Sequence, residues 1–232
     1  ATAAVPKAEF DWRPLALLGA VLLLALPLVG SPSTWVTLSV AGLAMGLIIF
    51  IIASGLTLIF SLMDVLNFGH GVFIALGAFV ATSVMGGMAD WTTSESLWRN
   101  LVAVFAAMLV AMAAAGALGL AFERVIVRPV YGLHLKQILI TMGGMIVGEE
   151  IIHVVWGPDQ IPLPLPTSFR GVILVGDAAI EKYRLIAVAV GLVVFAAMFL
   201  VLNRTKVGLL IRAGVENGEM VEALGYRIRR LF

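Results

Sequence analysis

The sequence predicts an all-α, polytopic transmembrane helical bundle of about six spans, and three observations carry that prediction. Of the 232 residues, 61% are hydrophobic and only 12% charged, against roughly 25% charged in an average soluble domain. A soluble chain of this size lacks the polar surface to cover so much apolar matter. The apolar residues also fall in continuous runs near the length of about 20 residues that crosses a bilayer. Lys and Arg, finally, gather on one side of the map those runs define. A transmembrane barrel would instead alternate apolar and polar residues over strands of about ten.

The runs come in order. Residues 15–29 follow Lys7 and Arg13 and are short for a crossing; they read as a first span, with a signal peptide's basic region and apolar core as the alternative. Pro27 would sit in the last turn of that span, where a missing helix hydrogen bond matters least. Because the chain starts at Ala1 rather than Met, residues before it are expected. Residues 36–60 carry no charge at all and form the clearest span. Residues 65–89 are apolar apart from Asn67 and His70, residues 101–122 are charge-free and rich in Ala and Gly, and residues 185–202 are again charge-free. Residues 137–156 are interrupted by Glu149, Glu150 and His153. Gly42 and Gly46, and the stretch Thr141-Met-Gly-Gly144, offer small surfaces for close helix packing.

With the N-terminus in the cytoplasm and each run crossing, the cytoplasmic stretches hold Lys7, Arg13, Arg124, Arg128, Lys136, Arg204, Lys206, Arg212, Arg227, Arg229 and Arg230. The outer stretches hold only Arg99, Arg170, Lys182 and Arg184. Inverting the map would reverse this bias, so both ends are placed inside. Residues 90–99 become a short outer connector with Trp91 and Trp98 as interfacial anchors. Residues 157–182 become a longer outer loop in which Pro158, Pro162, Pro164 and Pro166 forbid helix at the start. The whole chain, 1–232, reads as one transmembrane domain, with 203–230 a cytoplasmic, amphipathic segment inside it. There Arg212, Glu216, Glu219 and Glu222 recur at helical spacing, while Ile211, Val215, Met220 and Leu224 can line another face. Such a helix suits a groove on a soluble partner or a place flat on the lipid headgroups.

Composition narrows the function classes. With no cysteine there is no disulfide, thiolate metal site or cysteine nucleophile. A net charge of +1 gives no electrostatic footprint for nucleic acid. No Gly-x-x-x-x-Gly-Lys-Ser/Thr phosphate loop occurs, so any ATP must be hydrolysed elsewhere. Asp64 is read as a helix cap. Asn67, His70 and Gly71 mark a polar, glycine-interrupted entry to a span, which either lines a cavity or braces neighbouring helices. Thr141 and Gly143 share those two readings, with packing first. Glu149, Glu150 and His153 are costly inside a span, by about 2.5–3.5 kcal/mol for a central acid. Glu150 and His153 have the spacing of a Glu-x-x-His metal half-site, but no second half-site completes it; interfacial bracing and pathway contact are the other roles. No cofactor is called for. An intramembrane enzyme would need a nucleophile–base pair that is missing, and an ion-driven carrier would rest on Glu149 and Glu150 alone.

Beside this reading stands a resemblance. Arg204-Thr-Lys-Val-Gly208, Arg212-Ala213 and Glu219-Met-Val-Glu-Ala-Leu-Gly225 together resemble the EAA loop of ABC importer permeases, with Met220 and Val221 where that motif has alanines. From about Val36 onward the chain resembles the LivH-like, branched-chain amino-acid branch. The matching elements are Gly55-Leu-Thr-Leu-Ile-Phe60, Asn67-Phe-Gly-His-Gly71, Glu123-Arg124, Arg128-Pro129, Thr141-Met-Gly143 and Trp156-Gly-Pro158, all in family order. The resemblance implies a non-catalytic permease subunit in a bacterial inner membrane. Its partners would be ABC ATPase subunits, a second permease subunit (identical or homologous), a periplasmic substrate-binding protein and the lipid bilayer. Arg212, Ala213, Glu216, Glu219, Met220, Glu222, Ala223 and Gly225 would meet the ATPase. The cargo would be branched-chain or other hydrophobic amino acids, with urea, amides and aromatic acids as alternatives in related permeases. It also implies further spans beyond Phe232.

Overall fold

The computed structural model describes residues 12–223 apart from Asp64 and Leu66; the side chains of residues 15, 61–63, 217–220, 222 and 223 are not described. The cap expected at Asp64 and the motif glycine Gly225 therefore lie outside the described residues. Helices dominate: α1 (Arg13–Val29), α2 (Pro32–Met63), α3 (His70–Gly87), the single turn α4 (Ala89–Thr92), α5 (Leu97–Phe122), α6 (His134–Trp156), α7 (Lys182–Arg204) and α8 (Lys206–Ala223). A π turn, Glu123–Val127, and a 3₁₀ turn, Arg128–Val130, extend α5. Among the described residues, five helical stretches are long and apolar enough to span: Pro32–Phe60, His70–Gly87, Leu97–Val130, His134–Trp156 and Lys182–Arg204. The sixth expected span is the shorter apolar helix Ala16–Val29; α1 reaches about 26 Å at 1.5 Å per residue, against a hydrocarbon core of about 30 Å.

The helices associate through small residues, since lipid gives no hydrophobic drive for helix pairing. On α5, Ala103, Ala107 and Ala111 form a buried seam at four-residue spacing; α3, with Leu76 and Met85 buried, is the helix that packs against α5. On α6, a Cβ at Gly144 would come within 2.5 Å of the Phe122 ring, and one at Gly148 within 2.6 Å of Val72. So α3, α5 and α6 form one group. In the second group α1 and α7 pack on α2. Trp35 Nε1 donates to the Leu22 carbonyl (2.9 Å), Leu47 fills the space that a Cβ at Gly191 would need, and Phe50 meets Phe195 edge-on. Gly42 and Gly46, expected to pack, face nothing within 4 Å.

One end of the bundle carries a cap the sequence did not announce. The Pro-rich stretch is extended, as its prolines require, but it leads into a 3₁₀ turn (Thr167–Phe169) and an antiparallel hairpin, β1 (Val172–Val175) and β2 (Ala178–Glu181). Gly176, at φ +61°, makes the two-residue turn between the strands. Ala178 and Ile180 of β2 are buried while β1 is open, and Thr37 Oγ1 at the start of α2 donates to the Ala179 carbonyl (3.4 Å). Asn100 ties this cap to α5. Its Nδ2 donates to the carbonyls of Ser94 (2.7 Å), Ser96 (2.9 Å) and Trp91 (3.3 Å), and its Oδ1 accepts from Ser168 N–H (3.2 Å). At the opposite end sit the segment joining α2 to α3, the π and 3₁₀ turns, and α8.

Candidate functional site

The α2–α3 junction, residues 64–69, is where the expected entry irregularity appears. Helix α3 starts at His70, not at Val65, because Asn67 turns the chain: its Oδ1 accepts from Gly69 N–H (3.0 Å) in an Asx turn. Val65 and Gly69 are buried. Thr141, fully buried on α6, steadies the junction by accepting from Phe68 N–H (3.4 Å) while donating to the Gln137 carbonyl (2.7 Å). One helical turn earlier, Gln137 is also buried, and its Oε1 has no hydrogen-bond partner. His70 reaches the other helix group. Its Nε2 lies 3.3 Å from the Ile52 carbonyl, and its ring fits against Gly55 of α2. A carbonyl can only accept, so this geometry puts the neutral imidazole's proton on Nε2.

The structure thus brings Asn67, His70 and Thr141 to one place, and it adds Glu123, named before only within the Glu123-Arg124 element of the resemblance, and Tyr131, which the sequence reading did not single out. Glu123, on the π turn, accepts a hydrogen bond at Oε1 from the Tyr131 hydroxyl (2.9 Å). Partial burial, then the Glu123 carboxylate, push the Tyr131 phenol up to about 12, while Arg128 works the other way. The two residues are eight apart, a spacing no regular helix brings together; the π turn and the 3₁₀ turn after it do. π turns of this kind occur often at functional positions. A motif-independent signal was present in the pair Arg128-Pro129, because proline interrupts the ladder one turn earlier.

Three concavities surround these residues. A cavity of about 230 Å³ is lined by Asn67, His70, Glu123 and Tyr131 on apolar walls that include Ile59 and Phe122. A wider one, about 490 Å³, opens beside Ile52, Leu56, His70 and Gly71. Between α3, α5 and α6 lies an apolar cleft of about 750 Å³, with Val72, Phe122, Gly143 and Gly148 on its walls. Gly143 therefore lines open space rather than a helix contact; a Cβ there would meet nothing within 4 Å.

The remaining predicted residues lie elsewhere. Glu149, Glu150 and His153 are exposed on the flank of α6, and among the described residues they make no side-chain hydrogen bond that would brace a neighbouring helix. Helix α8 forms where the amphipathic segment was expected. Thr205 Oγ1 accepts from Gly208 N–H (3.2 Å), a side-chain cap at its start. Arg212 and Glu216 are exposed beside Leu209, whereas Gly208 and Val221 are buried and Ala213 half-buried. Val215, one of the residues expected to line the apolar face, is exposed. The side chains of Glu219, Met220, Glu222 and Ala223 lie outside the described residues. The helix packs against α7 and the α8-side end of α2.

Comparisons place this architecture among known proteins. The family model described as branched-chain amino acid transport system / permease component matches residues 38–232. The high-affinity branched-chain amino acid transport system permease protein BraD of Pseudomonas aeruginosa is 27% identical over 194 residues, covering 80% of this chain and 61% of the relative. The corresponding protein LivH of Salmonella typhimurium is 26% identical over 196 residues, covering 82% and 62%, and LivH of Escherichia coli is 25% identical over the same length and shares. The chain spans about three fifths of the length of these relatives. No solved structure matches.

Proposed function

The chain belongs to the family of branched-chain amino acid transport system permease components, and from that premise we propose that it is the membrane-spanning subunit of an ATP-driven importer, forming a path for branched-chain or other hydrophobic amino acids. In this reading it is not itself an enzyme. Separate ABC ATPase subunits hydrolyse ATP at the cytoplasmic face, a second permease subunit completes the path, and a periplasmic binding protein delivers cargo at the hairpin end. The setting is a bacterial inner membrane with the N-terminus inside.

The observation that carries the reading is α8. A transporter must pass force from a soluble motor into the bilayer, and a short helix lying at the membrane face can do so only if its root is fixed. Here the root is fixed by the Thr205 cap and by a turn so tight that a Cβ on Gly208 would collide with the carbonyls of Val201 and Leu202. The outer face, with Leu209, Arg212 and Glu216 exposed, has the mixed apolar and charged character of a docking surface. From its base α8 presses on both α7 and α2, and α2 meets His70 at the polar cavity.

The test is to delete residues 216–225, and separately to replace Glu219 or Gly225, in the full-length protein co-expressed with its ATPase and binding protein. Membrane insertion should persist, ATPase co-purification should fall with the deletion, and the point variants should hydrolyse ATP without importing labelled leucine. ATPase capture equal to wild type in every variant would overturn the docking role.

A further inference from the structure

The cavity at the junction of α2, α3 and the π turn has a composition the transport reading leaves unexplained. Its walls are mostly apolar, among them Ile59, Val65, Phe73 and Phe122, yet four polar side chains line the same small space. Each has hydrogen-bonding capacity left over among the described residues. Glu123 uses Oε1 on Tyr131, and its Oε2 has no hydrogen bond. Asn67 uses Oδ1 on Gly69 N–H, leaving the Nδ2 donors. His70 uses Nε2 on the Ile52 carbonyl, which leaves Nδ1 as the acceptor in the Nε2–H tautomer. These left-over acceptors and donors face a half-open cavity with apolar walls, where a small molecule able to pair with them can be held.

We propose that this cavity is a subsite for a zwitterionic aliphatic amino acid, with the Glu123 carboxylate taking the ammonium group, Asn67 Nδ2 the carboxylate, and the Ile59–Phe73–Phe122 wall the side chain. The proposal rests on the transport reading for its choice of cargo but not for its chemistry. The acceptors match what an ammonium offers: one carboxylate oxygen for a charge-assisted bond and one imidazole nitrogen. Tyr131 has a separate task. By donating to Oε1 it orients the carboxylate, leaving the second oxygen for the ligand; Tyr131 is a positioning residue. The volume, about 230 Å³, equals roughly seven or eight water volumes at about 30 Å³ each, which suits a molecule of leucine's size and not a peptide. Urea or a simple amide would leave the apolar wall uncovered and the carboxylate without a cation. Ligand sites of this type, mostly apolar with a few convergent polar groups, are the usual pattern for small molecules.

The experiment uses the natural absence of cysteine. In the full-length tagged chain, with any cysteine outside these 232 residues replaced by serine, and assembled with its partners in membranes, Ile59→Cys puts a single thiol of this polypeptide on the cavity wall. Its rate of reaction with a small maleimide is followed by gel shift. L-Leucine should slow labelling several-fold, whereas isocaproate (no ammonium), isoamylamine (no carboxylate) and urea should not. Glu123→Gln should raise the leucine concentration for half-protection by about tenfold, the loss of one charge-assisted bond, and Glu123→Asp should recover part of it. A pair that merely braced the turn would alter stability and leave protection unchanged. Absence of leucine protection, or equal protection by isocaproate, overturns the subsite even if Glu123→Gln fails to insert. Leucine uptake by the unaltered full-length chain separates the two ideas. Uptake without protection removes the subsite alone; protection without uptake upholds the subsite and removes the permease reading.

Discussion

Asn100 shows how much one side chain can hold at the end of a membrane helix. It is fully buried, its amide nitrogen serves carbonyls in the α4–α5 connector, and its oxygen fixes the 3₁₀ turn of the opposite loop. Replacing it with leucine keeps the bulk and removes the side-chain partner of the Ser94 and Trp91 carbonyls and of Ser168 N–H, all part-buried bonds; a polar group stranded by burial costs about 1–3 kcal/mol. We expect Asn100→Leu to lose about 3 kcal/mol in thermal unfolding in detergent, with faster proteolysis of residues 157–171 before the helices open. Asn100→Asp, though nearly isosteric, should be no better, because a carboxylate would confront the carbonyls the amide now serves. A melting curve equal to wild type for both would refute the tie. Tyr131 gives a second test at this scale. Its folded pKa, about 12, lies above the ordinary value of about 10, so the protonated phenol is the stabilised form. That contribution is complete below pH 10 and disappears as pH rises through 12. The ultraviolet difference between wild type and Tyr131→Phe should therefore titrate near 12, and in Glu123→Gln it should move back toward 10. A midpoint near 10 in the unaltered protein would show that the carboxylate does not hold the phenol.

At the scale of elements, the spans were readable because run length alone decides them in lipid, where the backbone must satisfy itself. The boundaries shifted where polar chemistry intervenes: α3 begins at His70 because Asn67 makes a turn of its own. The hairpin went unread although Val175-Gly176-Asp177-Ala178 between apolar runs is a legible turn signal, since the prolines before it drew the reading toward irregular loop. The Glu123–Tyr131 pair was not readable by spacing, because it exists only through two successive departures from α geometry. At α8 the sequence showed a helix but not its hinge. Gly208 is that hinge: an added methyl would strike backbone carbonyls, which cannot step aside as a flexible side chain could. Gly208→Ala should therefore swing α8 away from α7 and loosen its hold on α2. Reconstituted into liposomes with its partners, the variant should bind ATPase near normally yet import less leucine per ATP hydrolysed, by several-fold. Unchanged stoichiometry would mean that α8 is not the force-bearing link.

Over the whole molecule, the exposed apolar belt, with Leu24, Phe105, Leu139, Val154 and Phe199 all open, has a physical sense only in a bilayer, and it leaves sidedness to charge. The chain has two chemically distinct ends. One holds the hairpin, the Pro-rich loop and Trp98, largely exposed as an interfacial residue would be; the other holds Arg124, Arg128, Arg204 and Arg212. Lys and Arg are retained on the cytoplasmic side during insertion, so the hairpin end should face outward. These 232 residues hold no cysteine, so with any cysteine elsewhere in the chain replaced by serine this is measurable one residue at a time. Glu95→Cys and Asp177→Cys should react with a membrane-impermeant maleimide in intact spheroplasts, and Leu133→Cys and Leu209→Cys only after permeabilisation. Trp12→Cys tests α1, the shortest of the six expected spans, separately. Reaction only after permeabilisation shows that α1 crosses, whereas reaction alongside Asp177→Cys would mean that it lies within one leaflet. If Glu95→Cys and Asp177→Cys reported opposite sides, either α5 or α6 would not span and the two-ended architecture would be wrong. If all four exposed positions simply exchanged behaviour, the fold would stand and the proposed delivery and motor faces would have to be exchanged with them.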